Sequence, residues 1–194
     1  MRPITPAILL SMLLLGACAT PHQLDNDVST YSQWPTQRKP ASYAFERLPS
    51  QEARPEQQQQ LEDAARHALE AAGFTSSAEP KDADVSVQVG ARMSAAERAI
   101  YEDPFYWRGG FSTRWRRGLH SSWGLVYTVP SYAREVALLI RDRKSGQVLY
   151  EARASNTGSS NAGPALLSAM FDAAMKDFPH TGVNPRRVTV ELSQ

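Results

Sequence analysis

Asp84-Val-Ser-Val-Gln-Val-Gly-Ala-Arg-Met93 carries the clearest strand pattern of the 194-residue chain. Its apolar residues occupy every second position and alternate with serine, glutamine, glycine and arginine. Successive side chains of a strand point to opposite faces of a sheet, so this alternation predicts a β-strand with one buried face. Asp82 and Asp84 precede the apolar positions and are expected to lead the chain into the strand.

A helix is predicted before this strand, beginning at Pro55. Its apolar residues recur at i, i+4, i+7, i+8 and i+11 and form one stripe: Leu61, Ala65, Ala68, Leu69 and Ala72. Gly73 follows and is a typical helix stop. Upstream, Ser42 to Glu46 alternates weakly and predicts a short strand.

The second half of the chain predicts a hairpin, a helix and a closing strand. Residues 136–140 and 148–154 alternate on either side of the polar turn 142–146, which ends on glycine. Pro164 suits the first turn of a helix whose apolar residues continue to Phe178, before Pro179. Val188, Val190 and Leu192 alternate in a last strand. The predicted fold class is α+β: a single mixed, mostly antiparallel β-sheet with two helices packed on one face, a split βαβ-like sandwich.

The N-terminus is typical of an export signal. Arg2 precedes the apolar run 7–15, which is shorter than the roughly 20 residues of a membrane-spanning helix. Leu15-Gly16-Ala17-Cys18 is similar to the bacterial lipoprotein signal, in which the cysteine becomes the lipidated first residue after cleavage. That resemblance implies a diacylglyceryl group and an N-linked acyl chain such as palmitate on Cys18. With alanine at position 19, it implies the outer membrane.

The remaining chain divides into a tether and a domain. We predict a signal peptide at 1–17, the lipidated cysteine and a flexible tether at 18–40, and a periplasmic α+β domain at 41–194. Val28 to Tyr31 could add a short strand within the tether. Removing residues 1–17 takes away Arg2 and leaves 20 basic and 20 acidic side chains, so no bulk charge favours nucleic acid.

The order of these segments resembles the bacterial envelope lipoproteins grouped as domain of unknown function 4136. The resemblance rests on the Leu-Gly-Ala-Cys anchor and on Tyr43-Ala44-Phe45. It also rests on Ala71-Ala72-Gly73-Phe74, on Asp82-Ala83-Asp84-Val85-Ser86-Val87 and on a final helix ending at Phe178-Pro179. The resemblance implies a compartment and a fold, but no activity and no catalytic residues.

Residues with catalytic or metal-binding chemistry are sparse. None of His22, His67, His120 and His180 has another histidine three to five residues away, so no zinc spacing is present and no metal or cofactor is expected. Paired carboxylates at Asp82 and Asp84 are better explained as a strand entry. Residues 158–163 lack the lysine of a phosphate loop, and Ser160 or Asn161 is expected to cap the following helix. An enzyme is therefore the least favoured class.

Residues 101–127 form the one unusual segment. They hold eight of the chain's 17 aromatic residues together with four arginines and four glycines. Such residues are enriched in binding hot spots and at membrane headgroups. Alternatively, these aromatic residues could cover the open face of the sheet, or the segment could be a loop without a binding partner. The candidate binding surface is Tyr106, Trp107, Arg108, Phe111, Trp115, Arg116, Arg117 and Trp123.

These features favour an outer-membrane lipoprotein with a non-enzymatic binding or structural role. Its partners would be the membrane, through the anchor, and an envelope protein, a lipid or a glycan. The alternative is a module that binds a lipid or another small hydrophobic ligand in the periplasm.

Overall fold

The computed structural model describes residues 23–101, 126–159 and 163–192 of the chain. Its strands are β1 (Gln23–Ser32), β2 (Ser42–Phe45), β3 (Thr75–Ser76), β4 (Val85–Tyr101), β5 (Val126–Asp142), β6 (Val148–Gly158) and β7 (Arg186–Glu191). Its helices are α1 (Pro49–Glu52), α2 (Pro55–Ala71) and α3 (Pro164–Ala174), with a 3₁₀ turn at Pro80–Asp82. None of these described helices is long and apolar enough to span a membrane.

The seven described strands form one sheet in the order β3-β2-β4-β5-β6-β1-β7. β2 pairs in parallel with β3 and β4, and all other neighbours are antiparallel. α2 packs on β4 and against α3, which covers β1, β5, β6 and β7. The prediction of an α+β fold with a mixed, mostly antiparallel sheet is confirmed. Because β2 and β4 are direct neighbours, β2–α2–β4 is a compact βαβ unit.

β4 confirms the alternation that predicted it. Val85, Val87 and Val89 are buried against the helices, and the strand pairs with β5 over its whole length. It runs on to Tyr101, and β5 begins at Val126, ten residues before Val136. Tyr101, Val126 and Tyr127 therefore belong to strands and not to the insertion. Alanines and charges at 95–99 weaken the alternation there, so the sequence predicted a shorter strand.

The flexible tether predicted for 18–40 is wrong from Gln23 onward. Residues 23–32 form β1, which pairs with β6 on one side and β7 on the other. Its inward positions are Leu24, Asn26, Val28 and Thr30, all buried. Because two of these four residues are polar, the hydropathy does not alternate although the burial does. The sequence pattern indicates a possible strand only at Val28 to Tyr31.

The helices largely follow their predicted stripes. Leu61, Ala65, Ala68 and Leu69 of α2 are buried, and Gly73 ends the helix region with a φ of 94°, which disfavours a side chain. α3 ends at Ala174, before the predicted Phe178. The N-cap of α3 is Gly163, so the predicted caps Ser160 and Asn161 are wrong. Glycine there makes no side-chain cap bond.

An aromatic cluster closes one end of the core. Phe74 lies between Trp34 and Phe178, with ring centroids 5.6 Å and 5.2 Å away, and Tyr43 lies 6.5 Å away. Tyr150 packs edge-on against Phe178 at 5.2 Å. This cluster joins the segments that follow β1, α2 and α3 to the strands β2 and β6.

Candidate functional site

An open groove of about 320 Å³ lies between the start of α2 and the outer half of β4. We call it the arginine groove, because three arginines and one glutamate supply its charges. It is lined by Gln51, Arg54, Gln57, Gln58, Gln60, Leu61, residues 90–93, Arg134, Glu135 and Leu167. Arginine and glutamine side chains present several N–H donors, so the groove suits a negatively charged or acceptor-rich ligand.

The path of β2 creates this groove. β2 pairs with β4 only from Tyr43↔Val85 to Phe45↔Val87, and the chain then turns away into α1. At Val89, the next residue of β4 that faces this side, a glutamine side chain replaces the neighbouring strand. Nε2 of Gln51 donates to the Val89 carbonyl at 2.7 Å. Nε2 of Gln58 approaches the same oxygen at 3.5 Å. Beyond Val89 the groove lies open beside β4.

Arg134 is the most buried charge of the groove. It shares the inward face of β5 with Val136, Leu138 and Ile140, and only 4% of its surface is exposed. Its Nε has no hydrogen-bond partner, and no carboxylate of the described residues forms an ion pair with it. Burial lowers the pKa of Arg134, yet arginine stays charged at neutral pH. A buried cation without a counter-charge among the described residues is costly and is a functional candidate for that reason.

Two asparagines continue the polar row from Arg134 across the sheet. Asn156 is paired with Arg134 between β5 and β6. The register of β1 and β6, taken one step beyond Asp27↔Ser155, sets Asn26 across from Asn156. The Oδ1 atoms of both asparagines are buried without a hydrogen-bond partner. One donor and two acceptors are thus left unpaired in neighbouring positions, where buried polar groups are normally satisfied.

Gly158 provides the space for the Arg134 guanidinium. A Cβ atom built at position 158 would overlap Nη2 of Arg134 and would lie 3.4 Å from its Cζ. The φ of Gly158 is not in the left-handed region, so the backbone itself does not require glycine there. Steric room for the guanidinium is the physical role of this glycine.

A second groove, of about 680 Å³, lies between α2 and α3 at the aromatic end of the core. We call it the interhelical groove. Trp34, Phe178 and Met175 supply apolar surface, and His67 and Asp172 form a polar rim. Nδ1 of His67 lies 2.9 Å from Oδ1 of Asp172 and links the two helices.

The His67–Asp172 pair predicts a small pH dependence of stability. The hydrogen bond and charge of Asp172 raise the pKa of His67 above its usual 6.5. The pair therefore stabilises the domain fully below pH 6.5, and this contribution fades as the pH rises through the raised pKa. Since the imidazole is 73% exposed, we expect at most about 1 kcal/mol.

An NMR titration of the His67 ring measures this effect directly. Asp172→Asn should bring the pKa of His67 back toward 6.5. Asp63→Asn is the matched control, because Asp63 lies on α2 together with His67 but its carboxylate contacts Arg66. An unchanged His67 titration in Asp172→Asn would refute the pairing.

Asp84 has a structural role at the entry to β4. Its carboxylate accepts a 2.6 Å hydrogen bond from the Ser42 hydroxyl, and its backbone N–H donates to the Ser42 carbonyl. The Ser42 hydrogen bond lowers the pKa of Asp84. The interpretation of this aspartate as a strand-entry residue is confirmed.

The structure reaches only part of the predicted site. Cys18 and the candidate binding residues Tyr106, Trp107, Arg108, Phe111, Trp115, Arg116, Arg117 and Trp123 lie outside the described residues. Within the described ranges, no three His, Cys, Asp or Glu side chains are grouped to hold a metal ion. Sequence reasoning missed Arg134, although it stands in phase with the inward positions Val136, Leu138 and Ile140. An arginine at a strand position whose neighbours two residues away are buried is a sequence signal for a functional site.

Fold and groove together define a one-domain α+β protein with an open, arginine-lined groove beside its sheet. The chain belongs to the family described as Domain of unknown function (DUF4136), whose model matches residues 27–180. No curated protein matches the chain.

Solved structures are similar at low sequence identity. A PDZ domain protein from Parabacteroides distasonis is 14% identical with a TM-score of 0.50. The match covers 87% of this chain and 39% of that protein, so the chain spans well under half of it. The PelC dodecamer from Paraburkholderia phytofirmans is 16% identical with a TM-score of 0.40, covering 77% of this chain and 94% of that one. A DUF4136 family protein from Bacteroides thetaiotaomicron is 16% identical with a TM-score of 0.27, covering 78% and 94%.

Proposed function

We propose that this protein is a lipid-anchored protein of the outer membrane whose periplasmic domain binds a negatively charged group in the arginine groove, without catalysis. The observation that carries this proposal is the buried guanidinium of Arg134, whose Nε has no partner. A carboxylate or phosphate would supply the missing acceptor and the missing counter-charge together. Arg54 and Arg92 add positive charge at the mouth of the groove.

Titration with inorganic phosphate and with glutarate, followed by NMR, tests the groove. Either anion should shift the Arg134 Nε–H resonance together with the backbone resonances of residues 90–93. Arg134→Gln should abolish the saturable shift. Arg143→Gln removes the same charge from the exposed β5–β6 turn and should leave the shift intact. Binding that survives in Arg134→Gln, or no binding in the parent, would exclude this function.

The anchor part of the proposal rests on Cys18 and the Leu-Gly-Ala sequence before it. Five residue steps join Cys18 to Gln23, the first residue of β1, a reach of at most about 18 Å. β1 is antiparallel to β6, β6 to β5, and β5 to β4, so Gln23 lies at the sheet end where β4 finishes. Residues 102–125 follow β4 in the chain, and their tryptophans and arginines are residue types suited to headgroups, so we propose this segment as a second membrane contact.

Cys18→Ser is expected to remove the anchor completely. The hydroxyl is a far weaker nucleophile than a thiolate and cannot form the thioether, so lipid labelling should be lost and processing blocked. Metabolic labelling with an alkyne fatty acid and membrane fractionation measure this result. Ser159→Cys combined with Cys18→Ser is a control that restores a cysteine at an exposed position outside the signal. Unchanged membrane partitioning of Cys18→Ser would exclude the anchor.

The alternative ligand is a small hydrophobic molecule, and the interhelical groove is the place that favours it. Trp34, Met175 and Phe178 are joined there by Ala68, Ala71 and Ala72, so apolar side chains supply much of its lining. Its aromatic wall is also part of the core, since Phe178 packs on Trp34 at 4.9 Å. The buried charge of Arg134 has no such structural explanation, which is why the arginine groove is favoured.

A further inference from the structure

The open edge of β4 is the second feature of the arginine groove. In a strand, the backbone N–H and C=O of alternate residues point to the same side. The Val87 carbonyl accepts from the Glu46 N–H, and the Val89 carbonyl accepts from Gln51, so odd-numbered residues face away from β5. By the same alternation, Ala91 and Met93 direct both their N–H and C=O groups to this edge. On this side of β4, away from β5, no strand of the described residues pairs with Ala91 or Met93.

Exposed strand edges bind extended chains through these backbone groups. Here α1 and α2 flank the edge. The side chains of Gln51 and Gln58 occupy the Val89 carbonyl, so the edge is open only beyond Val89. Met93 is 48% exposed beside the edge, which offers apolar contact to a neighbouring side chain. An added strand would continue the line of β2 on the same side of β4.

Two arginines beside the edge define the partner, with Glu135 of β5 across the sheet from one of them, Arg92. The odd-numbered residues of β4, such as Val89, point inward to the helices. Arg92 is even-numbered and therefore lies on the face of the sheet without helices. Arg54 precedes α2 on the helix-covered face, and both arginines are exposed. A strand placed along Ala91 and Met93 would thus have one arginine above it and one below it. Neighbouring residues of that strand point to opposite faces, so two adjacent acidic residues would reach both arginines.

We propose that the arginine groove binds an extended acidic peptide segment of another protein, which adds as a strand to β4 at Ala91 and Met93 and places adjacent carboxylates against Arg54 and Arg92. This inference rests on the proposed function, since it uses the same groove. It requires backbone pairing and two exposed arginines, whereas anion binding requires Arg134. The two can therefore fail separately.

Amide hydrogen exchange on the full folded domain tests the pairing. The probe is a pool of acetylated, amidated peptides of about seven residues, a typical strand length, with Glu at the two central positions and Val or Thr elsewhere. The matched pool carries Gln in place of Glu. The Glu pool should slow exchange at Ala91 and Met93 by about tenfold, because these amides become hydrogen bonded. Gly90 and Arg92, which already bond to β5, should change little.

Ala91→Pro is the matching variant. It removes the backbone N–H of residue 91, which points to the open edge, and breaks no hydrogen bond to β5. Strands tolerate proline at such edge positions. Peptide binding should be lost in Ala91→Pro and kept in Ala91→Val, and glutarate binding is measured separately in the parent protein. Peptides N-methylated at alternate residues remove the donors from the other partner, so the test stands even if the proline variant does not fold.

Three results would overturn the inference. One is unchanged exchange at Ala91 and Met93 while glutarate binding is intact, which would leave the anion site standing alone. Another is equal binding of the Glu and Gln pools, which would exclude the acidic partner. The third is direct binding of oligogalacturonate, an acidic polysaccharide without backbone amides, when neither peptide pool binds. Loss of glutarate binding in the parent would instead remove the proposed function itself.

Discussion

Phe74→Ala is expected to lower the free energy of unfolding by about 3–5 kcal/mol, the usual cost of removing a buried phenylalanine. Phe74 is 2% exposed and touches three other rings of the aromatic cluster. These rings come from three separate segments of the chain, so a cavity there cannot close by the shift of one segment. A domain of this size is stable by only about 5–15 kcal/mol, so this loss would be a large fraction.

Urea unfolding followed by tryptophan fluorescence measures this loss, and Trp34 reports on the cluster itself. Tyr31→Ala is the matched control, because Tyr31 is an aromatic residue of β1 that is 56% exposed. Surface substitutions of that kind change stability by about 0.5 kcal/mol or less. If Phe74→Ala cost no more than Tyr31→Ala, the cluster would not be the stabilising centre that its geometry indicates.

Periodicity predicted most elements of this fold because most inward positions are apolar. β4, the β5–β6 hairpin and α2 have that property and were found there, although β4 and β5 both extend beyond the predicted ranges. β1 does not have it, since Asn26 and Thr30 occupy two inward positions. Proline and polar residues around it are typical of a tether, and local pattern alone could not show that β6 and β7 would enclose it.

The arginine groove was harder to predict than the sheet. It exists because β2 stops at Phe45 and the chain enters α1, a single turn of helix that no periodicity could indicate. The inward position of Arg134 could be read from the phase of β5. The lack of a carboxylate partner among the described residues could not, because it depends on which side chains the tertiary fold brings near. The aromatic segment 101–127 remains a prediction from the sequence.

Arg134→Met is expected to stabilise the domain while it removes anion binding. Methionine approximates the length of the arginine stem and is flexible enough to fill the same space. Replacing buried charges with apolar side chains of similar volume is often stabilising by about 1–4 kcal/mol, and here no described carboxylate would be left unpaired by the change. Arg141→Met is the control, since Arg141 is a partly buried arginine of β5 whose Nε also has no hydrogen-bond partner but which lies outside the groove, so it should keep glutarate binding.

The sign of the change separates a binding role for Arg134 from a structural one. A structural arginine would be held by hydrogen bonds whose loss lowers stability, and Arg134→Met would then unfold at lower urea concentration than the parent. A binding arginine is kept at a cost to the free protein, which a bound anion offsets by adding a counter-charge and an acceptor for Nε. We therefore expect glutarate to raise the unfolding midpoint of the parent and not that of Arg134→Met. At saturating glutarate the stability advantage of the variant should shrink, because only the parent gains from the ligand.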